Sequence, residues 1–246
     1  MKSYRFLLLD ADHTLLDFDY DMYVAFERMY KEAGLQTQKA YTKEIHDIYE
    51  ACNNVWWHRF EQRACTKQAL YHGRFQDFLQ QTGLSYDPVK LNHLYFKKLA
   101  QTGTAYAGAA TLMRCLSAHY ECDIITNGNA SSQPGRLKNS GLAPYYNTIF
   151  VSETVGVGKP DRRYFQYVFQ QIPDFDPDKA LVIGDSLSSD IQGAVNAGID
   201  SLWYNPKRLP RPLAPACTYE AADYLEILSL LLPTTKPQEK YKLSNS

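Results

Sequence analysis

Short continuous runs of apolar residues recur along the chain and end in polar residues or glycine. This pattern predicts buried β-strands, and the runs are Phe6–Leu9, Asp123–Ile125, Thr148–Val151, Ala180–Ile183 and Ser201–Tyr204. Segments with apolar residues at helical spacing lie between them, at Ala109–His119, Tyr164–Gln171 and Ile191–Gly198. Apolar strands that alternate with amphipathic helices indicate a parallel sheet covered on both faces. We therefore expect an α/β fold with a three-layer, Rossmann-like parallel sheet core.

Residues 18–102 follow a different pattern, because aromatic residues recur there at helical spacing and no convincing buried strand is present. Gly34, Gly83 and the Asp87-Pro88 pair divide the segment into roughly four helices. We expect an inserted all-helical cap domain that closes over the site and selects the leaving group. The core domain is then built from residues 1–17 and 103–233. Residues 234–246 are polar and proline-bearing, which predicts a flexible tail.

Composition narrows the class of protein. The chain has 246 residues, 45% of them hydrophobic, and a formal net charge of −1. A nearly neutral chain lacks the basic surface that nucleic acid polymers and anionic membranes attract. The five cysteines are scattered without a Cys-x-x-Cys pair, so neither a disulfide framework nor a zinc site is expected. With no secretory signal or membrane span in view, we predict a cytoplasmic monomer or homodimer.

Candidate chemistry lies where the predicted strands end. The residues at these ends are Asp10, Asp12, Thr126-Asn127-Gly128, Lys159, Asp185 and Asp190. In a parallel sheet such ends share one crevice. Two carboxylates ~4 Å apart repel each other by about 4 kcal/mol at an effective dielectric constant of about 20, so a hard divalent cation such as Mg²⁺ is expected among them. Lys159 and the Thr126 hydroxyl are then suited to donate to an anionic substrate.

These groups together resemble the four motifs of the haloacid dehalogenase-like hydrolases. The matching stretches are Asp10-x-Asp12-x-Thr14, Thr126-Asn127-Gly128, Lys159-Pro160-Asp161 and Gly184-Asp185-x4-Asp190. The resemblance covers nearly the whole chain up to the predicted tail. Dehalogenase members of this family need no leaving-group acid at the position of Asp12. The aspartate found there indicates a phosphatase.

The resemblance implies a role for each catalytic residue. Asp10 would be the nucleophile that forms an aspartyl-phosphate. Asp12 would protonate the leaving oxygen and then activate water. Thr126 and Lys159 would hold the phosphoryl oxygens, and Lys159 would also offset the charge of Asp10.

The resemblance also implies the ligands of a Mg²⁺ cofactor. They would be the Asp10 carboxylate, the main-chain carbonyl of Asp12 and the Asp185 carboxylate. Asp190 would be either a further ligand or the residue that orients Lys159 or a metal-bound water. We expect Ser188 or Ser189 to cap the helix that follows Asp185, and Asp161 to cap the helix after Pro160.

A finer resemblance suggests the substrate. The stretches DADHTLLDFD and VIGDSLSSDIQGAVNAGIDSLWYN, with Trp57, Leu70 and Gly73-Arg74-Phe75, resemble 5′-nucleotidases that act on pyrimidine nucleoside monophosphates. His13 and Ala107-Gly108-Ala109 depart from that branch. The expected substrate is a small phosphomonoester, foremost a pyrimidine nucleoside 5′-monophosphate. The expected substrate-binding residues are Thr126, Asn127, Gly128, Lys159, Trp57 and Arg74.

Alternatives remain open at this point. Trp56, Trp57 and Phe60 either stack on a base or pack in a core, and Arg74 either contacts substrate or ties cap helices together. His13 is expected to be a packing or surface residue on an extended stretch. The substrate could instead be phosphoglycolate or a sugar phosphate, or the protein could bind a phosphometabolite without catalysis.

Two other motifs are rejected. VGVGK resembles a P-loop but has Glu153 and Pro160 where that motif needs glycine and Ser or Thr. GDSLSSD resembles a serine esterase block, but all six histidines lie at or before His119.

Overall fold

A parallel sheet forms the centre of one part of the computed structural model, which describes residues 2–211 and 213–232. Within these residues its strands are β1 (Phe6–Leu9), β2 (Glu121–Thr126), β3 (Ile149–Val151), β4 (Ala180–Gly184), β5 (Asp200–Tyr204) and β6 (Tyr219–Ala221). They lie in the order β3-β2-β1-β4-β5-β6, and every neighbouring pair is parallel. This is the strand order of the Rossmann fold, as predicted.

Helices lie between and after these strands. In chain order they are α1 (Phe18–Glu32), α2 (Lys43–Glu61), α3 (Lys67–Thr82), α4 (Pro88–Leu99), α5 (Ala109–Ser117), α6 (Gln133–Asn139), α7 (Ser152–Val155), α8 (Arg162–Gln171), α9 (Gln192–Ala197) and α10 (Tyr224–Leu231). The chain divides into two compact units, one of which contains the first four helices, α1–α4. Phe18–Gly103 form a helical unit, and the described residues up to Asp17 and from Thr104 form an α/β unit.

Helices cover both faces of the sheet, which explains why its central strands β1 and β4 are apolar and fully buried. Leu7 and Leu9 of β1 pack into one buried cluster with residues of α5 and α10. Phe6 and Leu8 point to the other face and pack with residues of α8 and α9. All four side chains of β1 are therefore buried, and the three-layer core predicted from the apolar runs is confirmed.

The helical unit has a core of its own, built mainly from aromatic rings. Phe26 of α1 stacks on Tyr49 of α2 with ring centroids 4.2 Å apart, and Phe78 of α3 meets Phe26 edge to face. Tyr95 of α4 lies 5.6 Å from Tyr49 by ring centroids. Each of the four helices thus contributes at least one buried ring, which accounts for the aromatic spacing in the sequence.

The predicted helix breaks are observed. Gly34 and Gly83 have φ of 72° and 71°, a left-handed conformation that glycine adopts without steric cost and that ends a helix. Asp87 begins α4 by accepting hydrogen bonds from the main-chain nitrogens of Val89 and Lys90. The short break between α2 and α3 was not predicted. It contains Arg63 with φ of 59°, and neither glycine nor proline marks it.

Strand β6 was also missed by the sequence analysis. It has three residues, Tyr219–Ala221, of which Ala221 is the only fully buried one. Such a strand offers no apolar run to detect. The predicted tail, residues 234–246, lies outside the described residues. In the described part of the chain, no helix combines the length and the apolar character that a membrane crossing requires.

Candidate active site

Lys159 lies at the centre of the site, at the carboxyl ends of β1, β2 and β4. Its ammonium nitrogen donates to Asp10 Oδ1 at 2.6 Å and to Asp190 Oδ1 at 2.7 Å. A third hydrogen bond, 2.9 Å long, goes to the carbonyl oxygen of Ile125 in β2. All three donors of the ammonium group are therefore used, and the residue is only 5% exposed. The parallel register brings together residues that lie 149 positions apart in the chain.

Burial shifts the pKa values of these groups. Burial raises the pKa of Asp10 well above its ordinary value, and the charges of Asp190 and Asp185 raise it further, although Lys159 opposes them. Burial and the charge of Asp190 raise the pKa of Asp185 to about 7. Burial lowers the pKa of Lys159, but Asp10 and Asp190 outweigh it and the net shift is upward. One ammonium group thus faces more carboxylates than it can neutralise.

The carboxylates are placed where a cation could bind all of them. One oxygen each of Asp10, Asp185 and Asp190 lie within 4.8 Å of one another. Asp185 is held by Thr14, whose hydroxyl donates to Asp185 Oδ1 at 3.3 Å and accepts from the Asp185 main-chain nitrogen at 3.1 Å. Trp203 Nε1 donates to the Asp185 carbonyl oxygen at 2.9 Å. Oxygen ligands in this number suit Mg²⁺ or another hard cation.

A second group of possible ligands lies on α2. His46, Asp47 and Glu50 bring three ligand atoms within the same distance. The ammonium of Lys43, however, lies 2.6 Å from an Asp47 oxygen and balances its charge. This group therefore fits a metal less well than the cluster around Asp185.

Asp190 uses both of its oxygens in hydrogen bonds. Besides Lys159, it accepts from the main-chain nitrogen of Ser186 at 3.0 Å through Oδ2. A Cβ atom added to Gly184 would lie 2.3 Å from this oxygen, which explains the glycine at the end of β4. The predicted cap at Ser188 or Ser189 is wrong. The Ser186 hydroxyl caps this turn by accepting from Ser189 N, because Ser186 is the residue with an extended backbone.

Side chains of the Thr126-Asn127-Gly128 loop form hydrogen bonds with Gln133 and with Lys159. Thr126 Oγ1 accepts hydrogen bonds from the Gly128 main-chain nitrogen and from Gln133 Nε2, both at 2.9 Å. Asn127 bonds to the main chain of Lys159 at both ends of its amide, at 2.8 and 3.0 Å. The Asn127 side chain thus orients Lys159. As predicted, Asp161 caps the next helix by accepting from Arg163 N.

Gln133 and Arg136 are site residues that the sequence analysis missed. Gln133 Nε2 donates to Asp12 Oδ2 at 2.7 Å, and Arg136 Nη1 bonds to Asp12 Oδ1. Both lie on α6, one helical turn apart, and each is 1% exposed. The sequence does carry a signal for these two residues: a Gln and an Arg lie three positions apart, shortly after Thr126-Asn127-Gly128.

Trp57 and Arg74 belong to the helical unit. Arg74 is 1% exposed and donates to Asn53 Oδ1 at 2.9 Å and to Asn92 Oδ1 at 2.8 Å. It therefore links α3 to α2 and α4, as one of the two alternatives for this residue predicts, and its contact with substrate stays a prediction. Trp57 is half-buried and packs edge to face on Phe60, with ring centroids 5.8 Å apart. Its contact with substrate stays a prediction.

His13 has a different backbone from the one expected. Its φ of 62° is left-handed, and its main-chain nitrogen donates to the carbonyl oxygen of Leu16 at 2.9 Å. The extended stretch predicted here is therefore wrong, because the chain turns directly after Asp12.

Comparisons with known proteins agree with this geometry. A family model described as haloacid dehalogenase-like hydrolase matches residues 4–198. The chain is 41% identical over 229 residues to Pyrimidine 5′-nucleotidase PynA of Streptococcus pneumoniae, with 93% of this chain and 95% of that protein covered. It is 33% identical to Pyrimidine 5′-nucleotidase YjjG of Escherichia coli, with 92% and 98% covered.

A solved structure is similar over nearly the same length. The putative HAD-hydrolase YfnB of Bacillus subtilis, crystallised with bound magnesium, superposes with a TM-score of 0.86 and 34% identity. The match covers 94% of this chain and 99% of that one. These coverages mean that the matches extend over both the α/β unit and the helical unit of the chain.

Proposed function

The chain belongs to the haloacid dehalogenase-like hydrolase family, and from this premise we propose that it is a Mg²⁺-dependent 5′-nucleotidase that acts through an aspartyl-phosphate. One observation carries the proposal. Asp10, which has the position of the family nucleophile, lies 2.6 Å from a buried lysine and beside two further carboxylates. A neighbouring Asp12 supplies a second carboxyl group, which phosphoryl transfer requires for its proton steps.

The residues fit a divalent cation. If ionised, Asp10, Asp185 and Asp190 carry three negative charges against the single positive charge of Lys159, and burial raises the pKa of Asp10 and Asp185. We infer that Mg²⁺ binds to Asp10, Asp185 and the Asp12 carbonyl, while Asp190 orients Lys159. When bound, the ion would supply electrostatic stabilisation of the charge on the transferring phosphoryl group. The magnesium in the similar Bacillus subtilis structure supports this inference.

In the first half-reaction a carboxylate oxygen of Asp10 attacks phosphorus. The bond between phosphorus and the leaving oxygen breaks, and that oxygen takes a proton from the Asp12 carboxyl group. In the second half-reaction the Asp12 carboxylate takes a proton from water. The water oxygen bonds to phosphorus as the bond to Asp10 breaks, which releases phosphate and restores both aspartates.

Thr126 is suited to bind a phosphoryl oxygen. Its hydroxyl oxygen accepts two hydrogen bonds, from Gly128 N and Gln133 Nε2. Its own proton therefore remains to be donated to the substrate. Lys159, whose ammonium group donates to Asp10 Oδ1 at 2.6 Å, supplies positive charge beside the nucleophile.

The relatives support pyrimidine nucleoside 5′-monophosphates as the substrate class. Two proteins named pyrimidine 5′-nucleotidase are 41% and 33% identical to this chain over at least nine-tenths of its length. The contacts of Trp57 and Arg74 with substrate, the oligomeric state and the cytoplasmic location stay predictions from the sequence.

Phosphate release from a panel of phosphomonoesters tests the proposal. The panel contains uridine, cytidine and thymidine 5′-monophosphates, the purine 5′-monophosphates, phosphoglycolate and sugar phosphates, each with Mg²⁺ and with chelator. We expect the pyrimidine nucleotides to have the highest kcat/KM and chelator to abolish their turnover. Asp10→Asn should be inactive and folded. Equal turnover of phosphoglycolate or sugar phosphates would contradict the substrate class, and turnover in chelator would contradict the mechanism.

A further inference from the structure

We propose that Gln133 and Arg136 are positioning residues that hold Asp12 as the base for hydrolysis of the aspartyl-phosphate. This inference rests on the proposed function and adds two residues of α6 to its machinery. Neither residue belongs to the four strand-end motifs that the sequence revealed. Their role follows from contacts with Asp12 that lie more than 120 positions away in the chain.

The contacts occupy both oxygens of the Asp12 carboxylate. Gln133 Nε2 donates to Oδ2 at 2.7 Å, and the Arg136 guanidinium forms an ion pair with Oδ1. Two donors on two oxygens fix the rotation of the carboxylate as well as its position. The Asp12 side chain is itself 23% exposed and would otherwise be free to turn toward solvent.

Arg136 also fixes the orientation of Gln133. Its Nη1 donates to Gln133 Oε1 at 3.0 Å, so the amide oxygen faces the guanidinium. The amide nitrogen then faces Asp12, and its second hydrogen reaches Thr126 Oγ1 at 2.9 Å. Glutamate could not replace this residue, because it has no donor to offer to Asp12 or to Thr126.

The side-chain amide of Gln133 therefore joins the Asp12 carboxylate, the proposed base, to the Thr126 hydroxyl, which would bind phosphate. Gln133 sets the separation between the group that takes a proton from water and the group that binds the phosphoryl oxygen. The Arg136 ion pair and the Gln133 hydrogen bond together hold the Asp12 carboxylate in the orientation in which it takes this proton. The second half-reaction is consequently the step that most depends on the two residues.

The test separates the two half-reactions. p-Nitrophenyl phosphate releases an aryl oxide that needs little protonation, so its first half-reaction depends little on Asp12. In Arg136→Met and Gln133→Glu we expect kcat to fall about 10- to 100-fold, with KM falling in parallel and kcat/KM nearly kept. A burst of nitrophenol equal to the enzyme concentration should precede the slow steady state, because phosphoenzyme accumulates.

Matched variants control for structural damage. Lys138→Met removes an exposed positive charge from the same helix and should behave as wild type. Arg136→Lys keeps the charge and should recover part of kcat, and Gln133→Met keeps the shape of the glutamine without its donors. Thermal unfolding of each variant shows which are folded. Burst size is counted per folded enzyme, so a partly unfolded variant still gives a result.

Several outcomes would overturn the inference. Steady-state constants within twofold of wild type in both Gln133→Glu and Arg136→Met would do so. A fall in kcat/KM equal to the fall in kcat, without a burst, would also do so. Activity of Asp10→Asn would instead overturn the aspartyl-phosphate mechanism of the proposed function. Turnover of p-nitrophenyl phosphate without turnover of nucleotides would overturn its substrate class and leave this inference standing.

Discussion

Single residues show how close packing constrains this site. Gly128, two residues after Thr126, lies against Gln133, and an added Cβ atom would be 2.2 Å from Gln133 Nε2. Gly158 is constrained in the same way, because its Cβ would lie 2.3 Å from Asn127 Oδ1. Glycine at these positions is thus explained by neighbouring side chains that serve the site. Neither residue has a left-handed backbone.

Gly128→Ala should destabilise the protein by about 1–3 kcal/mol, because the new methyl group forces Gln133 to move. Turnover should fall with it, since Gln133 then loses its bond to Asp12 or Thr126. Urea unfolding and phosphate release measure the two effects. Removing the Gln133 side chain supplies the control. In a Gln133→Ala background the same glycine substitution should cost little stability, and an undiminished cost there would contradict the steric explanation.

The buried carboxyl group of Asp123 on β2 should make the free energy of unfolding depend on pH. Burial raises its pKa from 3.8 to about 6, the charge of Glu121 adds to the shift, and hydrogen bonds from Thr148 oppose it. Between about pH 4 and pH 6 the folded protein keeps a proton that the unfolded chain has released. The free energy of unfolding therefore falls as pH rises through this range.

Asp123→Asn should remove this pH-dependent fall in the free energy of unfolding. We expect the variant to exceed wild type by roughly 1 kcal/mol at pH 7, after allowance for solvent screening, and by little at pH 3.5. Urea unfolding of both proteins across this pH range gives the difference directly. A difference that stays constant with pH would show that Asp123 does not titrate as its burial predicts.

Among the secondary-structure elements, polar N-cap residues mark where three helices of the helical unit begin. Thr42, Thr66 and Asp87 begin α2, α3 and α4, and each accepts a main-chain hydrogen bond from the first turn. These caps satisfy donors that have no partner inside the helix. The start of each of these helices is thus set by a residue directly before it in the sequence.

Thr66→Ala should cost about 1 kcal/mol, because Ala69 N loses the hydroxyl that it bonds at 3.1 Å. Thr66→Ser keeps the hydroxyl and should restore most of the stability. Chemical unfolding measures both, and hydrogen exchange at Ala69 reports the local effect. Equal exchange rates in wild type and Thr66→Ala would argue against a role of this cap.

At the scale of the whole molecule, stability should be linked to the metal. The carboxylates that would bind Mg²⁺, those of Asp10 and Asp185, directly follow β1 and β4, the two central strands of the sheet. Mg²⁺ at ten times its dissociation constant should stabilise the fold by about 1.4 kcal/mol, and chelator should reverse this. The thermal midpoint with and without the ion measures the effect.

Asp185→Asn is the matched variant for this measurement. It should lose the response to Mg²⁺, while its metal-free form should unfold no earlier than metal-free wild type, because burial already disfavours the Asp185 charge. An undiminished Mg²⁺ response in this variant would place the ion elsewhere in the molecule.

The fold class and the strands that surround the site could be predicted from the amino-acid sequence alone. Apolar runs identified five strands, and glycine and Asp-Pro breaks divided the helical segment, because periodicity and capping act between near neighbours. The strand-end residues were also found in this way, since parallel strands end at one edge. Asp10, Lys159 and Asp190 do lie together there.

Which side chains contact one another could be seen only in the folded chain. The contacts of Gln133 and Arg136 with Asp12 and the Ser186 cap depend on sheet register, on the placement of α6 and on local backbone angles. Arg74 turned out to join three helices through two asparagines, which its position in the sequence left open. Such pairings join residues far apart in the chain or depend on backbone angles, so neither spacing nor composition records them.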